Sequence, residues 1–227
     1  MKPKTLRMLS QIASPSAWRV WYGGYLGKRF DTRYGVDTQA HVGVDALGID
    51  RALASTAVHY EASAIPKFRR AIGKIDRPLG DYVFVDIGSG KGRAVMMAAK
   101  LGFRKVVGVE LSEKLHRAAE RNLGIFRQVE AIDAPVELVN CNALDFEWPD
   151  ENLVVYVYNP FTGASFEALL DSISALACRS SNDILFVYIQ PLYQAQLERD
   201  RRFRLVYSDL QLSLWRVART SSASING

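Results

Sequence analysis

The chain has few of the residues from which metal centres, disulfide frameworks and membrane spans are made. Its 227 residues include two cysteines, Cys141 and Cys178, and three histidines, His41, His59 and His116. Two thiols so far apart match no zinc-ligand spacing and give no sign of an oxidising compartment, so no metal is expected and both thiols are read as ordinary buried ones. The histidines fall into no triad or metal pattern, and only His59 is kept as a candidate proton acceptor. No uninterrupted apolar run reaches the ~18 residues of a membrane span. Residues 1–13 are basic but lack the long apolar stretch of a signal peptide. A soluble cytoplasmic protein is the expectation. Internal repeats and low-complexity blocks are absent as well.

What is present suits one globular domain with an extension. Hydrophobic residues make up 48% of the chain, enough for a sizeable core. The net charge of +5 is unevenly placed. Residues 1–80 hold thirteen Lys/Arg against six Asp/Glu, whereas residues 81–227 hold sixteen against eighteen. The basic character therefore belongs to the N-terminal part, where it either steers an anionic partner such as RNA or a membrane surface or simply solvates a helical face.

The most informative stretch is Val83-Phe84-Val85-Asp86-Ile87-Gly88-Ser89-Gly90-Lys91-Gly92-Arg93, followed by Val106-Val107-Gly108-Val109-Glu110. A parallel strand buried on both faces reads as a continuous β-branched run, and glycines directly after it let the backbone turn tightly beside a ligand. Glu110 follows Gly88 by twenty-two positions. That is close to the ~20-residue spacing at which the second strand of a βαβ unit brings a carboxylate to ribose hydroxyls. The pattern is Gly-x-Gly-x-Gly and not the Gly-x-Gly-x-x-Gly of dinucleotide sites. Asp86 would repel a pyrophosphate and suit a ligand that carries an ammonium group, so the pattern points away from NAD and a dehydrogenase.

Beyond residue 80 strand and helix patterns alternate, which predicts an α/β doubly wound, Rossmann-like sheet. Strands are expected at 82–87, 105–110, 136–140, 153–158 and 184–189, with a closing pair at 203–207 and 211–217. Helices are expected at 93–101, at 113–123 behind an N-cap at Ser112, and at 165–177. Residues 1–80 are read as a strandless helical cap and 81–219 as the cofactor domain. The small, polar tail 220–227 is expected to be disordered. Residues 66–75 read as a basic amphipathic helix. The aromatic stretch Trp18-Arg19-Val20-Trp21-Tyr22-Gly23-Gly24-Tyr25-Leu26 suits a membrane interface, an apolar substrate grip or a packed lid. Packing is preferred, because Gly23-Gly24 should interrupt an interfacial helix.

The glycine loop and the acid at the second strand resemble the cofactor motifs of class I S-adenosylmethionine-dependent methyltransferases. The likeness extends to Phe30-Asp31-Thr32-Arg33-Tyr34-Gly35-Val36-Asp37-Thr38, to His59-Tyr60-Glu61-Ala62-Ser63 and to Tyr158-Asn159-Pro160-Phe161. Together these look like a bacterial group of that family whose members mostly lack an assigned substrate, and the pattern covers about residues 30–218. The resemblance implies a seven-stranded, mostly parallel sheet with an antiparallel last strand and S-adenosyl-L-methionine as cofactor. It places Asp86, Gly88, Ser89, Gly90, Gly92, Glu110, Leu111, Asn142, Ala143, Asn159 and Tyr60 around the cofactor. Asn142 stands where the family usually has an acid for the adenine amino group, and a plain turn is the alternative. Asp145 is read as capping the turn that follows.

Asn159, Pro160 and Phe161 resemble a shortened form of the Asn/Asp-Pro-Pro-aromatic motif with which amino-group methyltransferases hold a nitrogen; with Tyr60 they are the catalytic candidates. Glu61 is expected to cap the next helix or to serve as a base. Tyr34, read as lying in a loop of the extension, and Tyr188 and Gln190, at the end of the fifth strand, are secondary pocket candidates. The predicted activity is methyl transfer to a nucleophilic acceptor, foremost an amine, on a small molecule, peptide or protein. RNA or lipid methylation and non-catalytic cofactor binding are the alternatives.

Overall fold

The computed structural model describes residues 15–39, 61–158 and 163–219. Its centre is a seven-stranded sheet of order β3-β2-β1-β4-β5-β7-β6, with β1 at Val83–Ile87, β2 at Lys105–Glu110, β3 at Val136–Asn140, β4 at Leu153–Val157, β5 at Ile184–Ile189, β6 at Phe203–Ser208 and β7 at Leu212–Val217. The first five strands are parallel, and β7 runs antiparallel to both β5 and β6. The predicted strands, the parallel block and the reversed last strand are all present.

The continuous apolar runs have the cause expected of them. Every residue of β1, β4 and β5 is buried, because helices cover both faces of the sheet. Side chains alternate at period two. Val83, Val85, Ile87, Val155 and Val157 pack on the face that holds Phe166, Leu169 and Ile173. Phe84, Val106, Val154 and Tyr156 pack on the other face, against Phe68, Ala94 and Val95. The two outer strands, β3 and β6, are buried only in part.

Helices α1 (Pro15–Tyr34), α2 (Ile65–Ile72), α3 (Arg93–Ala98), α4 (Glu113–Val129), α5 (Ala164–Arg179) and α6 (Gln194–Arg199) complete the described structure. Ser112 caps α4 as predicted, its hydroxyl accepting from the Leu115 N–H at 3.4 Å. That helix runs past the predicted end at residue 123, through Gly124, because Phe126 is buried against Phe30 and Tyr34 of α1. The α2 helix turns Ile65, Phe68, Ala71 and Ile72 into the core and leaves Arg69 and Arg70 outside.

Four expectations are corrected. Helix α1 continues through Gly23 and Gly24. Two glycines cost a helix only about 2 kcal/mol against alanine, and the buried Tyr34 end anchors this one. The aromatic stretch is not packed down: Trp18, Trp21, Tyr22 and Tyr25 are about half exposed or more. Tyr34 belongs to α1 and not to a loop. Cys141 is half-buried and Cys178 exposed, so neither is a core thiol. Among the described residues no helix is long and apolar enough to cross a membrane. Likewise no three His, Cys, Asp or Glu side chains converge as a metal would need. His41, His59, Tyr60, Asn159, Pro160, Phe161 and the tail 220–227 lie outside the described residues.

Candidate active site

The strand ends of a parallel sheet point their carboxyl sides at one crevice, and the glycine loop sits there between β1 and α3. Gly88, Gly90 and Gly92 have φ of 76°, 55° and 83°, a region that side chains with a Cβ rarely enter. Gly92 is needed twice over, since a Cβ there would lie 3.2 Å from the Ala119 Cβ on α4. The loop is held from below by β2. The N–H groups of Gly88 and Ser89 both donate to the Val109 carbonyl at 2.9 Å, and that of Gly92 donates to the Ser89 carbonyl at 2.9 Å.

Glu110 completes the grip. Its Oε2 accepts from the Gly90 N–H at 2.8 Å and its Oε1 from the Ser112 N–H at 2.8 Å. With a further backbone hydrogen bond from Leu111, the carboxylate is fixed at the loop and keeps acceptor capacity for one more donor. With the N–H groups of Gly88, Ser89, Gly90 and Gly92 all bonded inside the fold, the loop does not offer them to a pyrophosphate as a dinucleotide site would. The geometry thereby reaches the same conclusion as Asp86 did from sequence. Ribose hydroxyls, by contrast, suit a fixed carboxylate.

Asp86 lies buried in the middle of the sheet, in register between Gly108 and Tyr156. Burial, and after it the charge of Glu110, pushes its carboxyl up to about 8. Burial raises Glu110 too, against the lowering pull of its backbone hydrogen bonds. Two acids in one dry crevice favour a cationic ligand, whose charge would restore their ionised forms. Ser89 adds a buried hydroxyl with no hydrogen-bond partner among the described residues. A ligand bearing ammonium, sulfonium and ribose groups fits this set.

At the end of β3, Asn140 donates its Nδ2 to the carbonyls of Glu110 at 2.7 Å and Leu111 at 3.1 Å, which ties β3 to the second strand end. Asn142 caps the short 3-10 turn Ala143–Asp145, its Oδ1 accepting from the Leu144 N–H at 3.1 Å. Ala143 is buried behind it.

Two further clusters were not foreseen from sequence. In one, the stretch after α1 clamps the loop. Asp31 accepts from the N–H groups of Thr38 and Gln39 at 2.9 and 2.8 Å and from the Thr38 hydroxyl. Arg93, buried directly behind the glycines, donates its Nε to that hydroxyl at 2.6 Å and an Nη to Gln39 at 2.7 Å, with Asp31 3.7 Å away. Lys91 pairs with Asp37 at 2.7 Å, and Asn122 of α4 bonds the backbone of both Asp37 and Lys91. Lys91 and Arg93 lie more than fifty residues from Asp37, Thr38 and Gln39, so local pattern carried no trace of these pairings. Gly27 is their one local sign: a Cβ on it would come within 2.9 Å of an Arg93 Nη.

The other cluster closes the end of β4. The Tyr158 hydroxyl is hydrogen bonded to Glu61 and lies 3.4 Å from Lys67 Nζ. Burial and then the Glu61 charge raise the phenol, and burial lowers the Lys67 ammonium. Glu61 does not cap the next helix, whose N-cap is Ala64, without a side-chain bond. Tyr188 is fully buried and stacks on Phe166, which removes it from any pocket, while the Gln190 N–H is bonded to the Gln211 carbonyl.

Residues 71–133 match the family model described as histone methylation protein DOT1. Solved structures with a similar course include an RNA methyltransferase from Salinibacter ruber in complex with S-adenosyl-L-homocysteine. It is 20% identical, with 73% of this chain and 99% of that one covered at a TM-score of 0.49. Another is the ribosomal protein L11 methylase of Lactobacillus delbrueckii subsp. bulgaricus, 20% identical, with coverage of 68% and 78% and a TM-score of 0.45. A third is the magnesium protoporphyrin IX methyltransferase of Synechocystis with bound S-adenosylmethionine, 15% identical, with coverage of 67% and 76% and a TM-score of 0.44. No curated protein sequence matches the chain. The family-model match spans β1, the glycine loop, β2 and α4. Those two strands frame the Glu110 carboxylate, so the part of the chain that is similar to a methyltransferase domain is the part that builds the glycine-loop crevice.

Proposed function

We propose that the chain is a class I S-adenosylmethionine-dependent methyltransferase that transfers a methyl group to an amine nitrogen, carried by a small molecule, peptide or protein, by direct in-line displacement. The observation that carries this reading is the Glu61–Tyr158–Lys67 cluster at the end of β4, beside the Asn159-Pro160-Phe161 segment. An amine reaches a site at neutral pH mostly as its ammonium form and must lose a proton before its lone pair can attack. Glu61 supplies a carboxylate to receive that proton, and the neighbouring Lys67 ammonium and Tyr158 hydroxyl hold the carboxylate in place. Asn159 is assigned to accept a hydrogen bond from the nitrogen, Pro160 to stiffen the turn and Phe161 to cover the reacting face, with Tyr60 over the methionine end of the cofactor.

On the cofactor side, Glu110 and Leu111 are assigned to the ribose, Asn142 and Ala143 to the adenine, and Asp86 to the ammonium. Ser89 with Gly88, Gly90 and Gly92 shapes the turn against the methionine part. The bound cofactor supplies a methyl carbon made electrophilic by sulfonium. The nitrogen lone pair forms the new C–N bond as the C–S bond breaks toward sulfur, leaving S-adenosylhomocysteine. The residues contribute alignment, proton acceptance and exclusion of water, which is where the rate of such a displacement is set. The described parts of residues 1–80 would then form one wall of the acceptor site.

The test is transfer of labelled methyl from S-adenosylmethionine to a panel of primary and secondary amines, repeated with Asn159→Ala. Turnover is expected to fall at least a hundredfold with S-adenosylhomocysteine affinity kept, the mark of an interaction made in the transition state. Cofactor binding with no turnover on any acceptor class would overturn the reading in favour of a non-catalytic binding protein.

A further inference from the structure

A second concavity lies on the outer side of α3, away from the glycine loop. It is a cleft of about 500 Å³ between α1, α2 and the end of α3, reaching Met97, Lys100 and Leu101. Its size suits one nucleotide unit or a similar group. Arg29 and Arg33 of α1, Arg69 of α2 and Lys100 contribute four cations, and no acidic side chain lines it. Lys100 is balanced by Glu130 at 2.8 Å. Arg29, Arg33 and Arg69 are exposed and form no ion pair among the described residues. Tyr22 and Phe30 supply ring surface inside the same cleft.

The cleft continues into the exposed aromatic face. Trp18, Tyr22, Tyr25, Arg29 and Arg33 follow one another at three- and four-residue steps, so they share one stripe of α1. The stripe is about 22 Å long at 1.5 Å per residue. Trp21 stacks on Tyr25 with centroids 5.8 Å apart and planes 10° from parallel, and Trp18 meets Trp21 edge-on at 5.4 Å. Flat rings at one end and arginines in a groove at the other are the two parts of a single-strand binding surface: bases stack and phosphates pair. A helix that lies in a membrane interface sets its basic residues and its Trp, Phe and Leu on opposite faces, whereas here Arg29 and Arg33 share one stripe with the rings. The aliphatic Leu26 of α1, together with Phe30, packs inward against the core. The exposed stripe is made of Trp, Tyr and Arg, whose large exposed members carry N–H or O–H groups.

We propose that α1 and the cleft beneath it bind single-stranded nucleic acid, with phosphates at Arg29, Arg33 and Arg69 and bases on the Trp21–Tyr25 rings and Tyr22. The site is separate from the methyl-transfer crevice and stands whatever the acceptor proves to be.

The test uses the full chain and a ~15-nucleotide oligo-uridine. Trp148 and Trp215 are nearly buried, whereas Trp18 and Trp21 are more than half exposed, so quenching of tryptophan fluorescence reports on α1. Quenching is expected at low salt and should weaken as salt rises, by about 0.7 in log K per log salt for each phosphate held. Arg29→Glu with Arg69→Glu should lower affinity at least about tenfold and flatten that slope. Tyr25→Ala should lower affinity about fivefold or more without changing the slope. Binding of S-adenosylhomocysteine and the melting temperature, measured alongside, should stay as in the wild type in all these variants, which separates this test from that of the proposed reaction. No binding at low salt, equal binding by the double variant, or preference for phosphatidylglycerol vesicles over the oligonucleotide would each overturn the proposal.

Discussion

The two ends of helix α1 are built from similar material and serve opposite purposes. At its C-terminal end Asp31 and the residues just beyond it, Asp37 to Gln39, are tied to Lys91, Arg93 and Asn122, and Tyr34 and Phe30 are stacked on Phe126. At its N-terminal half Trp18, Trp21, Tyr22 and Tyr25 face solvent. Charge in this helix is therefore structural where it is buried and paired, and aromatic surface is available where it is exposed. The lesson concerns residue type: neither arginine nor tryptophan declares its role until its neighbours are known.

The sharpest way to break the contrast is at the clamp. Asp31→Ala removes the acceptor of two backbone N–H groups and one hydroxyl, and takes away the carboxylate nearest to the buried Arg93 guanidinium. Breaking a buried pair by deleting one partner costs about 3–5 kcal/mol. Urea unfolding should register a loss in that range. S-adenosylhomocysteine affinity should fall with it, because Arg93 opens the helix behind the glycine loop. Unchanged stability would mean that the clamp is ornamental and that the glycine loop is held by β2 and Glu110 alone.

How much of this was legible in sequence follows the same division. The strands were readable because a doubly covered sheet demands unbroken β-branched runs, and Glu110 was readable because βαβ spacing is set by the length of one helix. The motif from Phe30 to Thr38 could be noticed but its job could not. Its partners Lys91 and Arg93 sit across more than fifty residues of chain, and pairing at that range leaves no periodicity. Gly23-Gly24 misled because helix propensity is a weak prior that packing at Tyr34 overrides. The six-residue α6 went unread for a plainer reason: Leu197 is its one buried residue, so it has no stripe to display.

A second experiment sharpens the comparison at the loop, where the buried acids are not paired with cations. Asp86 is raised by burial and by Glu110 to about 8 from an ordinary value of 3.8. The folded state therefore holds a proton that the unfolded chain releases near pH 4. That contribution to stability is fully present below about pH 4 and is lost as the pH rises through about 8. A ligand ammonium beside Asp86 would stabilise its charged form and expel the proton. Calorimetric titration of S-adenosylhomocysteine at pH 6.5–7, in buffers of different ionisation enthalpy, should show release of about one proton per ligand bound. Affinity should then rise up to about tenfold per pH unit below 8, and Asp86→Asn should abolish the release. Ligand binding without proton release would take the ammonium away from Asp86.

The smallest expected effect tests the other end of the helix. Trp21 is 61% exposed, and its ring partners among the described residues are Trp18 and Tyr25, themselves exposed. Replacing it by alanine removes a large side chain without opening a cavity, and alanine favours the helix more than tryptophan does. Unfolding free energy should change by no more than about 0.5 kcal/mol, the range of surface substitutions. Set against the loss expected of Asp31→Ala, near-zero cost at a tryptophan would show that this ring does not support the fold. Large exposed aromatic surface that contributes nothing to stability needs another reason to be there, and recognition is the physical one. A loss of 2 kcal/mol or more would reverse the argument, because it would mean that the ring is covered in solution and that the stripe on α1 is part of the core.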